Sequence, residues 1–218
     1  MDKLNVVKFG IDNMVFTGFD KEVKTVNEYK NHIKFMPITF NSLLDVGAGA
    51  GFYSIIACKL RDINKAWAFE PFPFNQIRLI KNIENNNLDE LIKAFPTAVG
   101  SRDTESTLKW EVGNFNSPTI YHGEIYSELE YSGLTPVLSL ETIMNMAKHI
   151  DLLKISVNDY ERIIIMDSYR DVFDNIDAID IDITNIDLPY FNEKIVKYIK
   201  QLGFIRMHRD GNFRLFWK

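Results

Sequence analysis

From Ser42 to Ile183, short apolar runs alternate with longer stretches in which apolar residues recur every three or four positions. That alternation predicts strands joined by crossover helices around a parallel sheet, an α/β architecture. Leu43-Leu44-Asp45-Val46 reads as the first strand and Phe52 to Leu60 as the helix behind it. Trp67-Ala68-Phe69-Glu70 is the second strand, and Phe74 to Ile83 the next helix, with Ile77, Leu79, Ile80 and Ile83 as its apolar stripe. Leu91 to Val99, interrupted by Pro96, reads as a third strand, and Gly100 to Asp103 turns the chain. Ser139-Leu140-Glu141-Thr142 opens a helix, Asp151 to Ile155 is the fourth strand, Tyr160 to Phe173 another helix, and Ala178 to Ile183 the fifth strand. Tyr190 to Leu202 is the last helix and Gly203 its cap. Two alternating segments around Asp210-Gly211-Asn212 then form an antiparallel C-terminal hairpin.

Two segments stand outside this alternation. Leu4 to Phe16 reads as one or two short strands and Lys21 to Phe35 as a helix ended by Pro37, giving an N-terminal cap over residues 1–40. Residues 106–137 scatter Trp110, Phe115, Tyr121, Tyr126 and Tyr131 among glycines and prolines, and read as an inserted hairpin or lid. Its aromatics would either stack on a sugar or planar acceptor or form the hairpin's own small core. The whole chain, 1–218, reads as one domain.

Composition narrows the function. With 25 basic and 30 acidic residues the net charge is −5, which lacks the electrostatic footprint of a nucleic-acid binder. Glu111, Glu124, Glu128 and Glu130 in the insertion argue further against a phosphate-rich acceptor. The single cysteine, Cys58, sits in an apolar run and reads as a small core residue of a cytoplasmic protein. No apolar segment approaches the roughly 18 residues of a membrane span. No spacing among His32, His122, His149 and His208 matches a zinc site.

The candidate chemistry lies in Asp45-Val46-Gly47-Ala48-Gly49-Ala50-Gly51. Glycines between a buried strand and a helix let the backbone turn sharply and let a ligand approach closely. A dinucleotide fingerprint needs Gly or Ala three residues beyond its second glycine, and Phe52 stands there instead. Asp45 would compete with a pyrophosphate but would welcome an ammonium group. Glu70, ending the second strand, can accept hydrogen bonds from ribose hydroxyls, and Pro71 stiffens the exit. The pattern therefore points to S-adenosylmethionine, with Asp45, Gly47, Ala48, Gly49, Gly51, Glu70 and Pro71 as cofactor-binding residues. An ordinary tight turn beside a solvated acid is the plain alternative.

With these motifs the chain resembles the FkbM-type methyltransferases. The resemblance rests on Leu44 to Ser54, Ala68-Phe69-Glu70-Pro71, Lys81-Asn82-Ile83, Ala98-Val99-Gly100, Ser139-Leu140-Glu141 and Leu153-Lys154-Ile155. It implies a Rossmann-like class I methyltransferase fold: a mostly parallel seven-stranded sheet, helices on both faces and an antiparallel C-terminal hairpin. It also implies O-methylation, here of a small-molecule or saccharide hydroxyl. One departure stands out. Where the family reads Lys-Ile-Asp-Val-Glu-Gly, this chain reads Lys154-Ile155-Ser156-Val157-Asn158-Asp159, and only Glu161 supplies a later acid. A cofactor-binding module without turnover, or a nucleotide-dependent oxidoreductase, are the alternatives.

Ala178, Asp180 and Asp182 share one face of the fifth strand, where both faces are normally apolar. Asp182, with Asp159 or Asn158, is a candidate proton acceptor or divalent-metal ligand at the acceptor side; the plain reading is that these acids meet water. His122 is a third candidate, as a base, because it lies in the insertion; a surface histidine is the plain reading. Asp187-Leu188-Pro189-Tyr190 is similar to an amino-methyltransferase signature, but it follows the fifth strand rather than the fourth and reads as a helix start.

Overall fold

The computed structural model describes residues 6–111, 119–121, 130–157, 160–182 and 189–218. The cap is a hairpin of β1 (Val6–Ile11) and β2 (Met14–Phe19), followed by α1 (Glu22–Phe35). Asp12 and Asn13 both take positive φ at the tight turn, the backbone that matches the twist of a two-residue hairpin. The central layer then runs β3 (Ser42–Val46), α2 (Phe52–Leu60), β4 (Lys65–Phe69), α3 (Pro73–Asn85) and β5 (Ile92–Phe95). After the insertion come α4 (Leu140–Ala147), β10 (Ile150–Ile155), α5 (Glu161–Met166), β11 (Ile176–Asp182), α6 (Pro189–Gln201), β12 (Arg206–Asp210) and β13 (Phe213–Trp217). Ser139 caps α4 by accepting a hydrogen bond from the Thr142 amide.

The seven-stranded sheet has the order β12-β13-β11-β10-β3-β4-β5, with β13 antiparallel to its neighbours and β11, β10, β3, β4 and β5 parallel. Each central strand feeds both faces, because successive side chains alternate. Leu43, Ala66, Ala68 and Leu152 pack with α1, α2 and α3, while Leu44, Phe69, Leu153 and Ile155 pack with α4, α5 and α6. Cys58 is buried in α2, and burial pushes its thiol up to about 12, so it is a core residue.

Four details depart from the sequence reading. Leu91 to Val99 is two strands: Pro96 has no N–H to continue a ladder, so β5 stays in the main sheet and β6 (Ala98–Gly100) joins another. That second sheet, β6-β9-β7-β8, is built from β6, β7 (Thr104–Glu111), β8 (Thr119–Tyr121) and β9 (Glu130–Ser139), so the insertion is anchored to the fold through β6. The helix read over Tyr160 to Phe173 breaks into α5 and a 3-10 turn, Arg170–Asn175. On α3, Leu79 and Ile83 are buried but Ile77 and Ile80 are exposed, and Asn75, Gln76, Arg78 and Asn82 take the inward face instead.

That polar face of α3 holds the cap. Asn82 accepts from the Thr17 amide at 2.6 Å and donates to the carbonyls of Thr17 and Ala50. Asn86 accepts from the Val15 amide and donates to the Val15 carbonyl at 2.7 Å. Two amide side chains one helical turn apart thus satisfy both backbone groups of two residues on β2, as a neighbouring strand would.

Candidate active site

The β3 and β10 strands are where the connections turn to opposite faces, and open parallel sheets bind ligands outside the carboxyl ends of the strands at such a point. A cleft of about 250 Å³ lies there. Its floor is Val46, Gly47, Ala48, Gly49 and Ala50, with Phe52 at the start of α2. Phe69, Glu70, Pro71 and Asn75 form one wall, and Ala98, Val99 and Leu108 close the far end from the second sheet. Ser156, Val157 and Tyr160 stand at the carboxyl end of β10. Glu22, Thr25 and Tyr29 of α1 complete the lining, so the cap is a wall of the site.

The glycine loop is shaped by close backbone approach. Gly47, at φ +73°, would place a Cβ 2.0 Å from the Ser156 carbonyl oxygen, so only glycine lets the loops after β3 and β10 meet. The Gly47 and Ala48 amides both donate to the Phe69 carbonyl at 3.0 Å. Gly49, at φ +56°, has open space where its side chain would be.

Glu70 is buried and its carboxylate clasps the loop: Oε2 accepts from the Gly49 amide at 2.8 Å and Oε1 from the Phe72 amide at 2.9 Å. Burial raises its pKa above the usual carboxylate range, although both amides, Lys154 and Asn75 pull the other way. With the Asn75 side chain bonded as well, about one of the carboxylate's four lone-pair sites remains for a further donor.

Asp45 occupies a different position from the one its motif suggests. It is fully buried beneath the loop and does not line the cleft. Its Oδ1 lies 2.8 Å from Lys154 Nζ, and its Oδ2 accepts from Ser54 Oγ at 2.6 Å. Lys154 also donates to the Gly47 carbonyl at 2.8 Å, so the pair holds the loop from behind. Burial would lower the Lys154 pKa, but Asp45 outweighs it and the ammonium is retained. Lys154 was legible as an anchor: a lone base in a central apolar strand needs an acid, and Asp45 is its register partner on β3.

The same row continues onto β11, where Asp180 is the register partner of Lys154. Asp180 does not meet water: it is fully buried, accepts from Tyr53 Oη at 2.6 Å and lies 2.8 Å from His32 Nε2. His32 Nδ1 lies 3.4 Å from Asp210, and its ring stacks on Phe213. Burial alone would depress His32, but the two carboxylates leave its pKa raised.

Among the candidate catalytic residues, Asp182 is half-buried at the end of β11, outside the lining of the cleft, and its charge is felt by Tyr29 and Lys154. His122 and Asp159, with Asn158, lie outside the described residues, as do Asp187 and Leu188. Glu161 is turned to the backbone, accepting from the Val157 amide at 2.7 Å. Ala48, Gly47, Gly49, Glu70 and Pro71 are brought together in the cleft lining, whereas Gly51 caps α2 from φ +83°, packed against Leu79. The sequence reading missed Glu22, Thr25 and Tyr29. The matching signal was the polar stripe Asn75, Arg78, Asn82 and Asn86 on α3, which demands a polar partner such as Glu22. Three ligand-type groups also meet at the opposite end of the sheet: His149 Nε2 lies 3.0 Å from Asp151 and 3.1 Å from Asp177. Asp151 there also accepts the Asn41 and Ser42 amides, which accounts for its place.

No helix among the described residues is long and apolar enough to cross a membrane. No protein-family model matches the sequence, and no curated protein matches it. Solved structures do match. A Pyrococcus horikoshii protein assigned as an RNA methyltransferase aligns at TM-score 0.53 and 13% identity, over 99% of this chain and 94% of its own. An O-methyltransferase family protein from Burkholderia thailandensis aligns at TM-score 0.52 and 11% identity, over 90% of this chain and 56% of its own. The TYW2 protein of M. jannaschii, solved in complex with AdoMet, aligns at TM-score 0.50 and 13% identity, over 99% of this chain and 85% of its own. At such identities the likeness is one of architecture, and the architecture of this chain is the Rossmann-like class I methyltransferase fold.

Proposed function

We propose that the chain is an S-adenosylmethionine-dependent methyltransferase of the FkbM type that acts on an uncharged hydroxyl of a small molecule or saccharide. One observation carries the reading: a glycine-floored cleft at the sheet's switch point whose charged lining, among the described residues, consists of carboxylates alone. A pyrophosphate cofactor would meet those carboxylates unfavourably, which weighs against an oxidoreductase. The residues fit the sulfonium nucleoside. The missing side chain of Gly49 leaves space above the loop, and Glu70 offers its remaining acceptor site to a ribose hydroxyl.

A sulfonium cofactor held there supplies an electrophilic methyl group. The chain contributes position and hydrogen bonds. Thr25, Tyr29, Ser156 and Tyr160 bring hydroxyl groups to the cleft. Burial lifts the Tyr29 phenol to about 12 and raises Tyr160 as well, so both stay protonated and act as donors that orient an acceptor oxygen. The net charge of −5 and the lack of a basic side chain in the described lining support a small neutral acceptor over nucleic acid.

Calorimetry of S-adenosylmethionine and S-adenosylhomocysteine on the wild type and on Glu70→Ala tests this. Charged hydrogen bonds of this kind are worth roughly 1.5–3 kcal/mol, so affinity should fall at least tenfold in the variant. Wild-type protein that binds neither compound, or binds NAD in preference, would sink the reading. A second reading, a cofactor-binding module without turnover, is favoured by Ser156 standing where the family has its first carboxylate. Tight cofactor binding with no conversion to S-adenosylhomocysteine across a panel of polyhydroxyl acceptors would select it.

A further inference from the structure

The proposed cofactor carries an ammonium group at its amino-acid end, and the acid that the glycine motif would offer it is already engaged: Asp45 is sealed under the loop with Lys154 and Ser54. Glu70 has each oxygen on a backbone amide and, on the reading above, is assigned to the ribose. One other carboxylate lines the cleft among the described residues, Glu22 at the first turn of α1.

Glu22 is 8% exposed and firmly held. Its Oε2 accepts from the Phe19 amide at 2.6 Å and pairs with the Arg78 guanidinium. Arg78 lies over the Phe19 ring, 4.5 Å from its centroid, and donates to Asn75, which in turn bonds Glu70. A continuous polar chain therefore runs from the ribose anchor to the cap. All contacts of Glu22 fall on Oε2; Oε1 accepts no hydrogen bond among the described residues. Oε1 is not among the buried atoms that lack a partner, so it is open to the cleft that Glu22 lines, and no Lys, Arg or His among the described residues lines that cleft to pair with it.

We propose that Glu22 is a cofactor-binding residue whose Oε1 takes the ammonium of the amino-acid end, so that the cap supplies an acceptor oxygen in the cleft that Asp45, sealed beneath the loop, cannot. This rests on the S-adenosylmethionine reading above. Arg78 and the Phe19 amide are positioning partners: they fix the rotamer and leave a single oxygen pointing at the ligand. A free amino acid or an ammonium-bearing acceptor would engage the same oxygen, but a ligand without an ammonium would not.

The test compares three ligands by calorimetry on wild type and Glu22→Gln. S-adenosylmethionine and S-adenosylhomocysteine both carry the ammonium, and 5′-methylthioadenosine lacks the amino-acid end. The expected result is a tenfold or greater loss for the first two, by similar factors, with 5′-methylthioadenosine unchanged within about twofold. Equal loss for all three ligands would mean that Glu22 merely supports the fold and would overturn the proposal. So would no loss for any, or a loss for the sulfonium compound alone. Wild-type protein that binds none of the three would overturn the cofactor reading itself, and this proposal with it. A thermal melt of the variant within a few degrees of wild type keeps the comparison interpretable, and Glu22→Asp, which shortens the reach but keeps the charge, should recover none of the lost affinity.

Discussion

Gly47 and Gly49 adopt the same left-handed backbone two positions apart, yet a methyl group should affect them differently. At Gly47 the new Cβ would meet the Ser156 carbonyl, and backbone cannot step aside; Gly47→Ala should lose more than about 2 kcal/mol in a denaturant melt. At Gly49 only the backbone strain of about 1–2 kcal/mol applies, so Gly49→Ala should fold and instead lose cofactor affinity, because its methyl group enters the cleft. Glu70 adds a pH signature. Its pKa is raised in the ligand-free fold, so the folded protein keeps that proton to higher pH than the unfolded chain, and the apo fold loses this contribution as pH rises through that window. Ribose hydroxyls need the ionised form as acceptor. Cofactor affinity should therefore weaken as pH falls through the raised value, with an onset above the usual carboxylate range, and Glu70→Gln should flatten the profile in calorimetry.

At the scale of elements, the cap is joined to the main fold by polar groups. Asn82→Ala would leave the Thr17 amide and the Ala50 carbonyl without their partner, at about 1–3 kcal/mol, and amide exchange at Thr17 should accelerate. His32 ties α1 to β11 through Asp180. Its folded pKa is raised, so its stabilisation is complete below the ordinary value of 6.5 and is lost as pH rises through the folded value. Thermal melts of wild type and His32→Asn should differ most at acid pH, and the gap should narrow as pH rises above the ordinary histidine value; a gap that does not change with pH would contradict this. The strand, glycine turn and helix from Leu43 to Leu60 were legible because a buried strand, a left-handed loop and an amphipathic helix each leave a local signature. The roles of Glu22 and Tyr29 were not, because no local pattern says which face of α1 will rest on a loop distant in sequence. The exposed Ile77 and Ile80 make the same point: what α3 buries is decided by the open edge of β2, which offers amides and carbonyls rather than apolar surface.

For the molecule as a whole, alternation gave the number of sheet strands, but not their spatial order, nor that Ala98–Gly100 would leave the sheet to pair with Glu130–Ser139. Pairing across that distance leaves no periodic trace, so the insertion looked free when it is tied in at its root. The charges around the ligand space have a larger consequence. Asp45 faces Lys154, Asp180 faces His32 and Glu22 faces Arg78, each couple shielded from solvent, while the buried Glu70 is held by backbone amides instead. Mobile ions cannot enter to weaken attractions that are already enclosed. Titrating sodium chloride from about 0.05 to 0.5 M should therefore leave ligand affinity nearly flat, where a site that grips a polyanion would lose it by orders of magnitude.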